Sequence, residues 1–165
     1  MAVNRSLTNA KSRAQGAWFE KLIDKSCNYY RKEKIADIWK TPEPMKTLQG
    51  LGNGKFVAVY TGKAQPDYKG ILAGGRGVMF EAKSTSTGKL YFSRVTVAQS
   101  TELELAWSMG AEVFVLVDYF GEHIAKIPWE VWRELQKKTR RKYVIPGDVY
   151  DHMVEFKGGI IKFLG

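Results

Sequence analysis

Apolar and polar positions along the chain switch between a helical and an alternating period. Within AQGAWFEKLIDKSCNYYRKEK (14–34), Phe19, Ile23, Cys27 and Tyr30 recur at four- and three-residue steps, and Trp18 and Leu22 widen the stripe. That spacing predicts a helix with one buried face, and Glu20 lies beside that face. KIADIWKTP (34–42) reads as a strand with Ile35, Ala36, Ile38 and Trp39 apolar, ended by Pro42 and Pro44. QGLGNGK (49–55) has the composition of a mobile loop, and a second strand, FVAVYTG (56–62), follows it. DYKGIL and GVMFEAKS are short β-rich runs around AGGRG (73–77), whose glycines permit the positive φ angles of a tight hairpin. Beyond the polar stretch STSTGKLYFSR (84–94), residues 99–109 are expected to be helical, carrying Leu103, Leu105, Ala106 and Met109. EVFVLVDYF (112–120) is strongly β-branched and predicts a central strand, paired through Gly121 with HIAKI. IPWEVWRELQKKTRRKY (127–143) predicts a helix with Pro128 at its first turn. This order describes an α/β domain: one mixed β-sheet flanked by α-helices.

Composition adds a folded core and a partner class. Of 165 residues, 44% are hydrophobic and 13% aromatic, far from the makeup of a disordered chain. The length suits one domain, placed at 14–165, behind a flexible basic arm at 1–13 that carries Arg5, Lys11 and Arg13. A formal charge of +9 favours a polyanion, nucleic acid ahead of an anionic membrane. The single cysteine, Cys27, excludes an internal disulfide and a multi-cysteine zinc site. It is expected to pack as a small hydrophobe in a reducing, cytoplasmic setting. No apolar run approaches the length that spans a bilayer.

The chemistry centres on PDYKGILAGGRGVMFEAKS (66–84). Alternate strand residues share a face, so Glu81 and Lys83 point one way and Phe80 and Ala82 the other. The glycine turn brings Asp67, on the preceding arm, beside Glu81. Two adjacent carboxylates raise each other's pKa unless a cation lies between them, and a hard ion such as Mg²⁺ or Mn²⁺ suits oxygen ligands. With a neighbouring lysine this is the minimal kit for phosphodiester hydrolysis. The spacing alone favours a solvated Glu–Lys pair on a surface strand; the hairpin placement of Pro66-Asp67 and Glu81-Ala82-Lys83 in a strongly basic chain, after a helix bearing Glu20, shifts the balance. Basic residues extend the picture: Arg31, Lys32 and Lys34 after the first helix; Arg76 in the turn; Lys89 and Arg94, with Tyr91, beyond the catalytic strand; and Lys137, Lys138, Arg140, Arg141 and Lys142 late in the chain. Together with Arg13, these are candidate phosphate contacts, although charge runs are as often solvated faces. His123 and His152 fall outside the constellation, and Trp107, Trp129 and Trp132 are expected in a core or a dimer interface.

These residues resemble the PD-(D/E)xK nucleases, and among them the RecU-type Holliday-junction resolvases of Gram-positive bacteria and their phages. The resemblance runs from about Gly16 to Tyr150 and is carried by GAWFE (16–20), NYYRKEKIADIWKTPEP (28–44), DYKG (67–70), FEAKST (80–85), Gln99 and IPGDVYD (145–151). It implies a restriction-endonuclease-like fold and a metal-dependent endonuclease that resolves four-way DNA junctions as a homodimer, nicking paired strands. It assigns Asp67 and Glu81 as metal ligands, Lys83 as the catalytic lysine, Glu20 as a further metal contact and Gln99 as a positioning residue. Two departures stand out. Gln15 replaces the family's basic residue before Gly16, and the glycine-rich 49–55 connection is expected to be shorter than the family's junction-entering stalk. The alternatives are a nuclease of this superfamily for flaps or other branched or duplex DNA, and a non-catalytic basic DNA-binding module.

Overall fold

The computed structural model describes residues 2–42, 44–60, 62 and 65–164, and the side chains from residue 10 onward except that of Tyr60. The chain begins with α1 (Ala2–Lys32) and continues through β1 (Ala36–Lys40), β2 (Met45–Gly52), β3 (Lys55–Tyr60), β4 (Tyr68–Leu72) and β5 (Gly77–Thr85). After the short β6 (Leu90–Tyr91) come α2 (Val97–Ser108), β7 (Glu112–Tyr119), β8 (His123–Pro128), α3 (Trp129–Lys138) and β9 (Tyr143–Val144). The last pair is β10 (Phe156–Lys157) with β11 (Ile160–Ile161).

Five strands form the main sheet in the order β1-β4-β5-β7-β8. The β5–β7 pair is parallel and the other pairs are antiparallel, so the sheet is mixed. β7 lies between β5 and β8, as its continuous apolar run requires. Its alternation divides the core: Phe114 and Leu116 join Phe19, Ile23, Cys27 and Tyr30 of α1, while Val113, Val115, Val117 and Tyr119 join Leu103 of α2 and Trp129 and Trp132 of α3. One helix therefore covers one face and two cover the other. β5 obeys the same rule, with Val78, Phe80 and Ala82 toward α1 and Met79 toward α2 and α3. Phe80 is wholly buried and stacks between Tyr68 (4.9 Å) and Phe114 (4.6 Å), a packing worth about 3 kcal/mol of buried apolar surface. Cys27 is buried in the α1 layer, and burial pushes its thiol up to about 12, so it behaves as the expected small hydrophobe.

Three local expectations need correction. The segment expected as an arm, 1–13, is helical from Ala2, because no glycine or proline interrupts it and it runs on without a break into the apolar-striped part of α1; Met1 and the side chain of Arg5 lie outside the described residues. The 49–55 stretch is no loop: it turns the exposed β2–β3 hairpin, with Gly52, Asn53 and Gly54 at φ +80°, +50° and +73°. Asn-Gly at a turn is a strong hairpin signal, and the β-rich runs on both sides complete it. Thr61, near the end of the expected second strand, lies outside the described residues. Finally, α2 starts at Val97, two residues earlier than expected, because Thr96 caps it.

Candidate active site

The β4–β5 hairpin builds the site. Tyr68 lies opposite Phe80 in the register, so the residue before β4, Asp67, comes alongside Glu81 and Ala82. Asp67 Oδ2 accepts a hydrogen bond from the Ala82 backbone N–H at 3.0 Å, which fixes the carboxylate at the strand end. Glycines make the return possible: Gly74 and Gly75 adopt φ +89° and +91°, where a Cβ would be strained. Gly70 serves the neighbouring pair, since a Cβ there would stand 2.2 Å from the Asp37 carbonyl oxygen of β1.

Glu81 is wholly buried on the α2/α3 face of the sheet. Its Oε2 accepts from Lys83 Nζ at 2.5 Å and from Gln99 Nε2 at 2.8 Å. Its Oε1 is buried with no partner among the described residues. Lys83 Nζ also lies 3.5 Å from Asp67 Oδ2. Desolvation pushes the Glu81 carboxyl up to about 8; Lys83 opposes that rise and Asp67 adds to it. Gln99 is held by its own helix: it occupies the third position of a capping box, its Oε1 accepting from the Thr96 backbone N–H while Thr96 Oγ1 accepts from the Gln99 N–H. The amide thus spends its oxygen on the cap and its nitrogen on Glu81.

The structure brings Asp67, Glu81, Lys83 and Gln99 together and leaves Glu20 apart. α1 lies on the opposite face from Glu81, and Glu20 Oε2 pairs with Lys40 Nζ at 2.6 Å. Among the described residues no three His, Cys, Asp or Glu side chains converge as a metal cluster. Sequence reasoning missed Lys40 and Asp24. Lys40 ends β1, where Glu20, Asp24 and Asp67 all raise its pKa; Asp24 accepts from the Tyr68 hydroxyl at 2.9 Å. The signal for Asp24 was its place one helical turn after Glu20. Gln15, read only as a lost basic residue, donates to the buried carboxylate of Asp118 at 2.8 Å.

The basic candidates divide. Arg31 is paired with Asp37, Arg76 with Glu112, Lys138 with Glu134 and Arg141 with Asp148. Lys32, Lys34, Lys137 and Arg140 are exposed and make no ion pair among the described residues, and Arg13 is exposed on α1. Lys89 and Arg94 meet in a small polar cavity beyond β5. Lys137, Arg140 and Arg141 rim a larger groove of about 1090 Å³ between α2 and α3. Trp129 and Trp132 are core, while Trp107 is partly exposed beneath the Arg133 guanidinium. His123 is exposed and His152 half-buried, and neither touches the carboxylates. No described helix is long and apolar enough to cross a membrane.

An orphaned buried carboxylate oxygen beside a second carboxylate fits an oxygen-seeking divalent ion. Residues 14–159 match the family model described as Recombination protein U. No curated protein matches the sequence significantly. Among solved structures the chain is similar to Hjc, a Holliday junction resolvase from the hyperthermophilic archaeon Archaeoglobus fulgidus, with 15% identity and a TM-score of 0.50 over 82% of this chain and 92% of that one. At that identity the likeness speaks to the fold, which is restriction-endonuclease-like. With a family match over most of its length, the chain belongs to the Recombination protein U family of Holliday-junction resolvases, and it is a nuclease.

Proposed function

We propose that this protein is a metal-dependent endodeoxyribonuclease that resolves four-way DNA junctions by paired, symmetric nicks. The observation that carries the reading is Glu81: a buried carboxylate with one oxygen bound by Lys83 and Gln99 and the other left without a partner. Such a group costs stability unless function retains it. Asp67 and Glu81 would hold Mg²⁺, with Mn²⁺ accepted in its place. When bound, such an ion lowers the pKa of a water and neutralises charge on the phosphate.

The chain's own residues do the rest. Asp67 is anchored by the Ala82 N–H, and Gln99 keeps the Glu81 carboxylate from rotating. Lys83 is almost buried, so its charge acts in a medium that screens it little. From between the two carboxylates it faces the reacting phosphate and stabilises negative charge as the bond breaks. Glu20 holds Lys40 within electrostatic reach of Asp67, and Lys40 supplies positive charge where the strand approaches. A junction presents two equivalent strands, so a homodimer provides one site for each. A reducing cytoplasm, in a bacterium or in the bacterial host of a phage, suits the lone buried cysteine and the DNA substrate.

The test is cleavage of a synthetic mobile junction, a flap and a linear duplex with Mg²⁺, Mn²⁺ or EDTA, repeated with Asp67→Asn. Metal-dependent cutting confined to the junction, lost in the variant while binding survives, supports the proposal. Equal cutting of all three substrates points to a broader nuclease of the same superfamily. Binding without cutting by the unaltered protein sinks the catalytic reading and leaves a DNA-binding module.

A further inference from the structure

The strand that carries Glu81 and Lys83 does not stop at the catalytic lysine. Its last residues, Ser84 and Thr85, run directly into a cavity of about 220 Å³ closed by α1 on one side and by the turn at residues 92–94 on the other. Every lining residue is of a polar or charged type, with Tyr91 the one aromatic, although their carbon stems make up much of the wall. Lys89 and Arg94 contribute two positive charges, and no Asp or Glu lines it among the described residues. Arg94 forms no ion pair among the described residues, and Lys89 Nζ rests 5.0 Å over the Tyr143 ring without a carboxylate partner. The hydroxyls of Ser12, Ser84 and Ser86 also line it or its rim and make no hydrogen bond among the described residues.

The cavity is built, not incidental. Thr85 Oγ1 donates to the Lys89 carbonyl at 3.1 Å and accepts from the Thr87 N–H at 3.3 Å, which folds residues 85–89 into a fixed loop. Gly88 completes that loop at φ +67°, with Phe120 packed where a Cβ would stand, 2.5 Å from its ring. Gln15 ties α1 to the floor through the Thr85 carbonyl (3.4 Å) and Asp118 (2.8 Å). The Asp118 charge is wholly buried and directed at Gln15 and the Gly121 N–H, not into the cavity. What remains along the space is Arg94, the Lys89 side chain with its ammonium over the Tyr143 ring at the edge, and spare hydroxyl donors, a set that selects a compact oxyanion.

We propose that this cavity holds a backbone phosphate of the cut strand, the neighbour of the phosphate at Lys83, and so sets where that strand lies across the catalytic carboxylates. The inference rests on the nuclease reading above. Two residues of strand advance about 7 Å, a spacing comparable to that of successive phosphates along a nucleic-acid strand. Arg94 and Lys89 neutralise the anion, and Ser12 and Ser86 donate to its oxygens. They are positioning residues, since none touches the reacting atoms.

The experiment uses the full chain with Asp67→Asn, in EDTA, so that binding is read without cleavage. Junctions carry a single uncharged methylphosphonate at successive positions of one strand, and each is bound by this protein and by the same protein with Arg94→Gln. Removing one charged hydrogen-bonded contact weakens binding about tenfold. At one phosphate only, the methylphosphonate penalty is expected to shrink in the Arg94→Gln protein by about the factor that Arg94→Gln itself costs, because both changes delete the Arg94 contact. The salt slope should fall by about one. Ser12→Asp, which places a negative charge at the rim, is expected to weaken the unmodified junction by a similar factor. Additive penalties at every phosphate overturn the proposal and leave Arg94 as part of a diffuse field. Unchanged affinity in both variants also overturns it. The cycle needs no cutting, so a protein that fails to cleave can still show the coupled phosphate, and one that cleaves can still lack it.

Discussion

Replacing Glu81 by Gln should make the metal-free protein more stable, and increasingly so as pH rises from 5 to 8. Glu81 is wholly buried, and burial lifts its carboxyl from 4.5 to about 8 despite Lys83. Between those values the folded protein keeps a proton that the unfolded chain has released. Unfolding then releases a proton, so stability falls as pH rises, by about 1.4 kcal/mol per unit and at most about 5 kcal/mol across the window. Glutamine retains an oxygen that can accept from Lys83 and Gln99 and carries no such term. Its fixed offset depends on how well that oxygen replaces Oε2, but the difference in slope does not. Denaturant unfolding of both proteins in EDTA at pH 5, 6, 7 and 8 measures it. Mg²⁺ should then stabilise only the wild type at pH 8, by about 2.7 kcal/mol at a hundredfold excess over its dissociation constant. A difference between the two proteins that stays flat from pH 5 to 8 would refute the reasoning, because Glu81 would then not be the strained group that geometry makes it.

Lys83→Met should lower single-turnover cleavage by about 10²–10³-fold while leaving stabilisation by Mg²⁺ in thermal unfolding intact or stronger, which separates catalysis from metal binding. Gln99→Ala removes both a helix cap and a donor to a buried carboxylate; about 2 kcal/mol of stability should go, with Gln99→Glu restoring the cap but not cleavage. Gly70→Ala forces β1 from β4, because its Cβ would meet the Asp37 carbonyl oxygen at 2.2 Å; a loss of about 3 kcal/mol in urea unfolding is expected, and an unchanged midpoint would contradict the register.

Much of the site was legible because local rules governed it. The period-two alternation of Phe80, Glu81, Ala82 and Lys83 set the faces of β5, and the glycines of the turn brought Asp67 back beside Glu81. Gln99 was legible as a residue but not as a geometry: the Thr96-to-Gln99 capping box was in the sequence and places the helix start earlier. Glu20 could not be placed from its own helix. Its distance from Glu81 depends on which face of the sheet α1 covers, and that follows only from how β5 and β7 divide their side chains between two cores. The β2–β3 hairpin was missed because glycine content was weighed above the Asn53-Gly54 turn and its flanking β-rich runs. The cavity at Lys89 and Arg94 joins the stretch 84–94 to Ser12 and Gln15 of the distant α1, so no spacing pattern announces it.

Paired nicking at a branch is the central claim, and a supercoiled plasmid that extrudes a cruciform tests it most directly. Incubated with the protein and Mg²⁺, the plasmid should pass straight to linear product with one cut on each of two opposing strands, and nicked circles should not accumulate. Accumulation of nicked circles without linear product, or equal cutting of the same plasmid relaxed and free of the cruciform, would contradict it.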